Sequence, residues 1–171
     1  GAIVTDDEKL AEDVRVFRNY GSEKRYYNRV VGTNSRLDEM QAGLLRVRLR
    51  HMSELEEEKR RISEKYLKNL DSPHITLPRI REGATHIWHQ FVIRSGRRQE
   101  LIDYLNGKEI GTIIHYPIPP HLSEAYAYLH IPQGSLPITE EYADTVLSIP
   151  LYNGMTDAEQ EYVIDAINGW R

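Results

Sequence analysis

The stretch Gly32-Thr33-Asn34-Ser35-Arg36-Leu37-Asp38-Glu39-Met40-Gln41-Ala42 is a polar turn that runs straight into a long segment with helical periodicity. Ser35 is placed to cap the helix, with Asp38 three residues on as a capping-box acid one carbon short of the usual Glu. Asn34 then sits in the turn beside a helix start, whose free N–H groups and dipole favour an anion. Asn and Ser are also ordinary cap residues, so spacing alone is satisfied by a purely structural role.

Composition narrows the classes. The 171 residues can form one domain or two small ones, and 40% hydrophobic content is enough for a core. A formal charge of −4 with a pI of about 6.0 implies no general affinity for nucleic acid. There is no cysteine, which removes disulfides and cysteine metal sites and fits a reducing cytoplasm, the expected compartment. No apolar run approaches the roughly 20 residues that span a bilayer. The opening Gly1-Ala2-Ile3-Val4-Thr5 has no Met and reads as the middle of a larger protein.

Before the turn, Ala2-Ile3-Val4 reads as the end of a buried strand, and Thr5-x-x-Glu8 as a capping box. The helix that follows carries Leu10, Val14 and Phe17 on one stripe and is stopped by Gly21. Ser22 to Thr33 reads as a loop in which Lys24, Arg25, Tyr26, Tyr27 and Arg29 offer cations and planar rings. Such a loop suits phosphate or sugar contacts as well as plain surface. After the turn, one helix is expected from about Arg36 to about Asn69. At 1.5 Å per residue it would be about 50 Å long, so it bridges two domains or bends. Glu56–Arg60, Glu57–Arg61 and Glu64–Lys68 are acid-before-base pairs four apart on a solvated face.

Asp71-Ser72-Pro73 ends that helix. Ile75–Pro78, Ile87–Ile93 and Ile110–Tyr116 read as strands, and Arg98–Leu105 as a helix with Leu101, Ile102 and Leu105 inward. Pro117-Ile118-Pro119-Pro120 forces an irregular turn. A short helix is expected from His121 to Tyr128, and another from Thr139 to Leu147, leading into Ser148–Leu151. Thr156-x-x-Glu159 opens a last helix. The order suggests helices on one face of a small sheet.

The densest candidate site is Thr112–Pro117 with His121. His115 and Tyr116 stand where a strand meets a proline turn, and a His there can donate, accept or titrate near neutrality. The plain alternative is that Tyr116 packs and His115 satisfies a loop carbonyl. Metal binding is not expected. His86 and His89 would face opposite sides of a strand, three prolines separate His115 from His121, and no His-Glu-x-x-His occurs. There is no Gly-x-Ser-x-Gly elbow, Gly-x-Gly-x-x-Gly or Walker loop either, so no self-sufficient catalytic centre is visible.

The words themselves match a family. Gly-x-Asn-Ser-Arg-Leu-Asp-Glu-x-Gln-Ala, followed by Leu45, Val47 and Leu49, resembles the DegT/DnrJ/EryC1/StrS sugar aminotransferases. So do Ala2-Ile3-Val4-Thr5, Asn19-Tyr20-Gly21, His86-x-Trp88-His89-Gln90-Phe91, Ile114-His115-Tyr116-Pro117 with Pro120-His121, and Pro150-Leu151-Tyr152 with Met155-Thr156. The resemblance implies an α/β chain, the C-terminal part of the fold type I (aspartate aminotransferase-like) pyridoxal-phosphate (PLP) transferases. Residues 1–52 would be the end of the large PLP-binding domain with the start of the bridging helix. Residues 53–171 would be the small C-terminal α+β domain.

By the same resemblance, Asn34 reaches into the neighbouring subunit and binds the PLP phosphate, so a homodimer is expected. His115 and Tyr116 line the sugar side, with Tyr26, Tyr27 and His121 as further substrate contacts. The Schiff-base Lys lies upstream. None of Lys9, Lys24, Lys59, Lys65, Lys68 or Lys108 has the right context, so the chain alone is expected to be inactive. The implied reaction moves an amino group, with glutamate as donor, onto a nucleotide-linked keto-deoxysugar. Within the family, the turn and His115 segments most resemble transaminases acting at C3 of dTDP-3-keto-6-deoxyhexoses. A PLP-dependent sugar dehydratase of the same fold, a C4 aminotransferase and a non-catalytic dimerisation or regulatory homologue are the alternatives.

Overall fold

The 3.6-residue periodicity around Phe17 and Ile62 becomes helix, but β pairing is sparser than the apolar runs suggest. The computed structural model describes all residues, 1–171. Contacts divide the chain into two units, Gly1–His51 and Met52–Arg171.

In the first unit, α1 runs from Glu8 to Phe17. Asp7 caps it, accepting from Leu10 N at 3.0 Å, while Thr5 Oγ1 accepts from Asp7 N. The helix begins at Glu8, so Asp7 and not Thr5 stands at the N-cap, and the expected Thr5 box is not formed. Val16 is the one buried hydrophobic side chain of this unit, and Leu10 and Phe17 of the expected stripe stay exposed. The helix ends at Phe17 with Arg18 as C-cap, before Gly21 is reached. The expected loop holds a small antiparallel hairpin, β1 (Ser22–Lys24) and β2 (Tyr27–Asn28). Ala2–Val4 pairs with no strand of this chain.

The helix after the turn, α2, runs from Glu39 to Arg50 with Asp38 at the N-cap, so Ser35 does not cap it. Ser35 is held elsewhere, its N–H and C=O both bonded to Arg18. Helical structure is interrupted at His51 (φ −105°, ψ 7°). The single helix expected over residues 36–69 is thus two.

The second unit begins with α3 (Met52–Asn69). Its sheet is β3 (Phe91–Arg94) antiparallel to β4 (Val146–Ile149), in the register Phe91↔Ile149 to Arg94↔Val146. The strands expected at 75–78 and 110–116 reduce to single bridges, Thr76↔Arg94 beside β3 and Ile113↔Ser148 beside β4. The 87–93 strand starts only at Phe91, because Trp88 turns into the left-handed region (φ 53°) and buries its ring. The helices α4 (Arg98–Asn106), α5 (Pro137–Thr145) and α6 (Asp157–Gly169) complete the unit, with 3-10 turns at Pro120–Leu122 and Glu124–Leu129.

One core holds this unit together. Ile62 and Tyr66 of α3, Phe91 and Ile93 of β3, Leu101 and Leu105 of α4, Leu147, and Ile164 and Ile167 of α6 all belong to it. Burial pushes the Tyr66 phenol up, and its hydroxyl donates to Pro150 O at 2.9 Å. Of the expected helix-face ion pairs, Arg61 turns away from Glu57 to Asp157 at 2.9 Å. Arg60 pairs with Glu57, three residues back, instead of Glu56. Lys65 joins Asp157 and Glu161, so charges on α3 meet α6. The expected Thr156/Glu159 capping box is complete, with reciprocal bonds of 3.2 and 2.8 Å.

Candidate functional site

Asn34 is set by backbone, not by a helix end. Tyr20 N donates to Thr33 O, Thr33 N to Phe17 O and Ser35 N to Arg18 O, at 2.8–2.9 Å, so residues 33–35 lie along the end of α1. Asn19 and Asn34 form an antiparallel bridge there. The approach needs two glycines. A Cβ on Gly32 would collide with backbone of Gly21, Tyr20 and Phe17, and one on Gly21 with Val30. Because α2 starts at Glu39, its dipole contributes nothing directly at Asn34.

What Asn34 offers is its own amide. Oδ1 accepts from Arg36 Nε at 3.2 Å, and Nδ2 has no partner in the chain. The side chain and that of Arg36 are exposed. Tyr20, Arg25, Tyr26, Asn28 and Arg36 line an open cleft of about 630 Å³. Tyr26 occupies the hairpin turn in the left-handed region (φ 72°). Arg25 lies over the Tyr26 ring, Lys24 over Tyr27 and Arg36 over Tyr20, at 4.9–5.5 Å. Tyr26 and Tyr27 are themselves exposed.

The second unit carries the two candidate histidines in different settings. His115 Nδ1 lies 2.9 Å from Ser148 Oγ, so the ring is anchored on β4 and not on a loop carbonyl. With His89, Thr112, Leu151 and Tyr152 it lines a cleft of about 410 Å³. Tyr116 does not pack inward. It is 71% exposed and stands edge-on to His115 at 5.5 Å. His121 is buried, its Nε2 3.1 Å from Glu140 Oε1. Glu140 also accepts from Gly134 N and Leu136 N. The Gly134 amide first, then the His121 and Leu136 contacts, hold its carboxyl below the usual range. His86 Nδ1 accepts from Trp88 N at 2.8 Å, in an irregular segment and not on a strand face.

Sequence reasoning missed the partners. Arg36 was legible only as the next charged residue of the motif. Ser148 stands 33 residues from His115, and Glu140 19 from His121. No local pattern links either pair, and only the Ile113–Ser148 bridge beside β4 and the position of α5 bring them in.

Comparison with known proteins places this geometry. The sequence profile of the DegT/DnrJ/EryC1/StrS aminotransferase family matches residues 1–168. The chain is 44% identical, over 99% of its length, to a dTDP-3-amino-3,4,6-trideoxy-alpha-D-glucose transaminase of Streptomyces venezuelae. It is 42% identical, over 98% of its length, to a dTDP-3-amino-3,6-dideoxy-alpha-D-galactopyranose transaminase of Aneurinibacillus thermoaerophilus. It spans 45% and 46% of those two relatives. The structure of S. venezuelae DesV in complex with a ketimine intermediate superposes with a TM-score of 0.91 at 43% identity, covering 98% of this chain and 45% of DesV. The fold is therefore that of the matching part of the fold type I transferases. On this profile, these identities and this shared structure, the chain belongs to the DegT/DnrJ/EryC1/StrS aminotransferase family.

Proposed function

We propose that the chain is part of a PLP-dependent transaminase that moves an amino group, with glutamate as donor, onto C3 of a dTDP-linked 3-keto-6-deoxyhexose. The observation that carries this reading is the 42–44% identity, across nearly the whole chain, to two transaminases of dTDP-3-amino sugars. The donor set of the first unit fits the cofactor's phosphate. Asn34 Nδ2 has no partner in the chain, and its Oδ1 is already taken by Arg36 Nε, so the amide presents its N–H groups. When bound, the cofactor supplies the carrier for the amino group and the electron sink for the chemistry.

This chain's residues bind and orient. Asn34 holds the phosphate in the neighbouring subunit, so the working assembly is a homodimer. His115 faces the sugar. Its Nδ1 is taken by Ser148, which leaves Nε2 for a substrate hydroxyl. Tyr116 adds an exposed phenol beside it. Tyr26 and Tyr27 offer ring faces and, with Lys24 and Arg25, positive charge for a nucleotide diphosphate. His121 shapes the wall of the sugar side, since its Nε2 is already engaged by Glu140.

We take none of the chain's lysines as the Schiff-base amine. That amine must be reachable and able to lose its proton. Lys65 is the opposite case, because Glu161 and Asp157 hold its ammonium charged. We assign the Lys to the remainder of the parent polypeptide. The test is amino-sugar formation, read by mass spectrometry, from the dTDP-linked 3-keto sugar, glutamate and PLP. Product is expected from the full-length parent and none from the chain alone. Turnover by the chain alone would overturn the Lys assignment. A parent that eliminates water from the sugar, aminates only C4, or binds no PLP would overturn the reaction.

A further inference from the structure

We infer that Arg36 is a positioning residue for the cofactor phosphate, fixing which end of the Asn34 amide points outward; this rests on the reading of Asn34 given above. An amide has two ends of similar shape and opposite chemistry, one accepting and one donating. A phosphate needs the donor. A guanidinium has no acceptor, so the atom that meets Arg36 Nε at 3.2 Å must be Oδ1. Nδ2, with two N–H groups, is thereby turned the other way.

Arg36 is itself held. Its guanidinium lies 5.5 Å over the Tyr20 ring, and Tyr20 is fixed in the left-handed region (φ 60°). Two bonds lock that residue, Tyr20 N to Thr33 O at 2.9 Å and Asn28 Nδ2 to Tyr20 O at 2.6 Å. The backbone of Asn34 is pinned independently by the bonds of Thr33 and Ser35 to the end of α1. With the backbone held, the two side-chain torsions of Asn34 remain, and the Arg36 bond restricts them and sets which end of the amide faces outward. A side chain already turned to its ligand loses less freedom on binding.

The experiment uses the full-length parent with Asn34→Ala, Arg36→Met and the double variant. Dissociation constants are measured by equilibrium dialysis for PLP and for pyridoxal, which lacks the phosphate. Arg36→Met should weaken PLP on the order of tenfold, the scale of a hydrogen bond to a charged group, and leave pyridoxal within about twofold. In the Asn34→Ala background the same change should add less than about twofold, because Arg36 acts through the amide. Three results overturn the inference: equal weakening of both ligands, an undiminished effect without Asn34, or no effect of Arg36→Met where Asn34→Ala weakens PLP. If Asn34→Ala itself leaves PLP binding intact, the underlying reading of Asn34 falls instead.

Discussion

Ser148 is where several bonds cross. Its N–H and C=O exchange hydrogen bonds with Ile113, its Cα pairs with Val92, and its Oγ touches His115. Removing the hydroxyl keeps the strand and frees the imidazole. In the full-length parent, Ser148→Ala should lower kcat/KM for the keto sugar about three- to tenfold, the worth of one hydrogen bond. The half-reaction with glutamate should be unchanged, and the contrast is checked by single-turnover kinetics. Glu140 makes a prediction of a different kind. Its folded pKa lies below its ordinary 4.5, so the folded chain binds fewer protons than the unfolded one in that range. Its contribution is complete above pH 4.5 and is lost as pH falls below it. Thermal melts across that range should therefore drop more steeply for the native protein than for Glu140→Gln.

At the level of elements, stability rests on α3, α4, α6 and the β3–β4 pair. Leu147 is fully buried among them, and Leu147→Ala should cost about 2–5 kcal/mol in denaturant unfolding. Thr156→Ala removes one half of a complete capping box and should cost about 1 kcal/mol by the same measurement. The sequence announced α4 and α6 clearly because their signals are local: Leu101 with Leu105, and Thr156 with Glu159. Strands were less legible. Ala2–Val4 and Ile110–Tyr116 have strand-like composition, but pairing depends on a distant edge that composition does not encode. The helix start was misplaced for a similar reason. Ser35 has the chemistry of a cap, yet Arg18 claims its backbone, and Asp38 takes the position. Nothing in Arg50-His51-Met52 marks the break there, since it contains neither Gly nor Pro. Asn34 was singled out by a motif. Its partner Arg36 emerged from geometry.

Over the whole chain the two units differ sharply in how much they bury. Every member of the hydrophobic core lies between Ile62 and Trp170, whereas residues 1–51 bury Val16 alone among their hydrophobic side chains. Met40, Leu44, Val47 and Leu49 of α2 stand exposed. Burial is what offsets chain entropy. A chain of residues 52–171 should therefore unfold in one cooperative transition, while residues 1–51 alone should show neither a cooperative melt nor slow amide exchange. The two indoles sharpen the contrast. Trp88 and Trp170 are 2% and 4% exposed, and both belong to the second unit. Intrinsic emission excited at the red edge of the absorption band is thus a reporter for residues 52–171 only. It will stay blue-shifted and shielded from iodide while α2 melts unseen, so far-ultraviolet ellipticity falling ahead of the fluorescence would mark the order in which the chain comes apart.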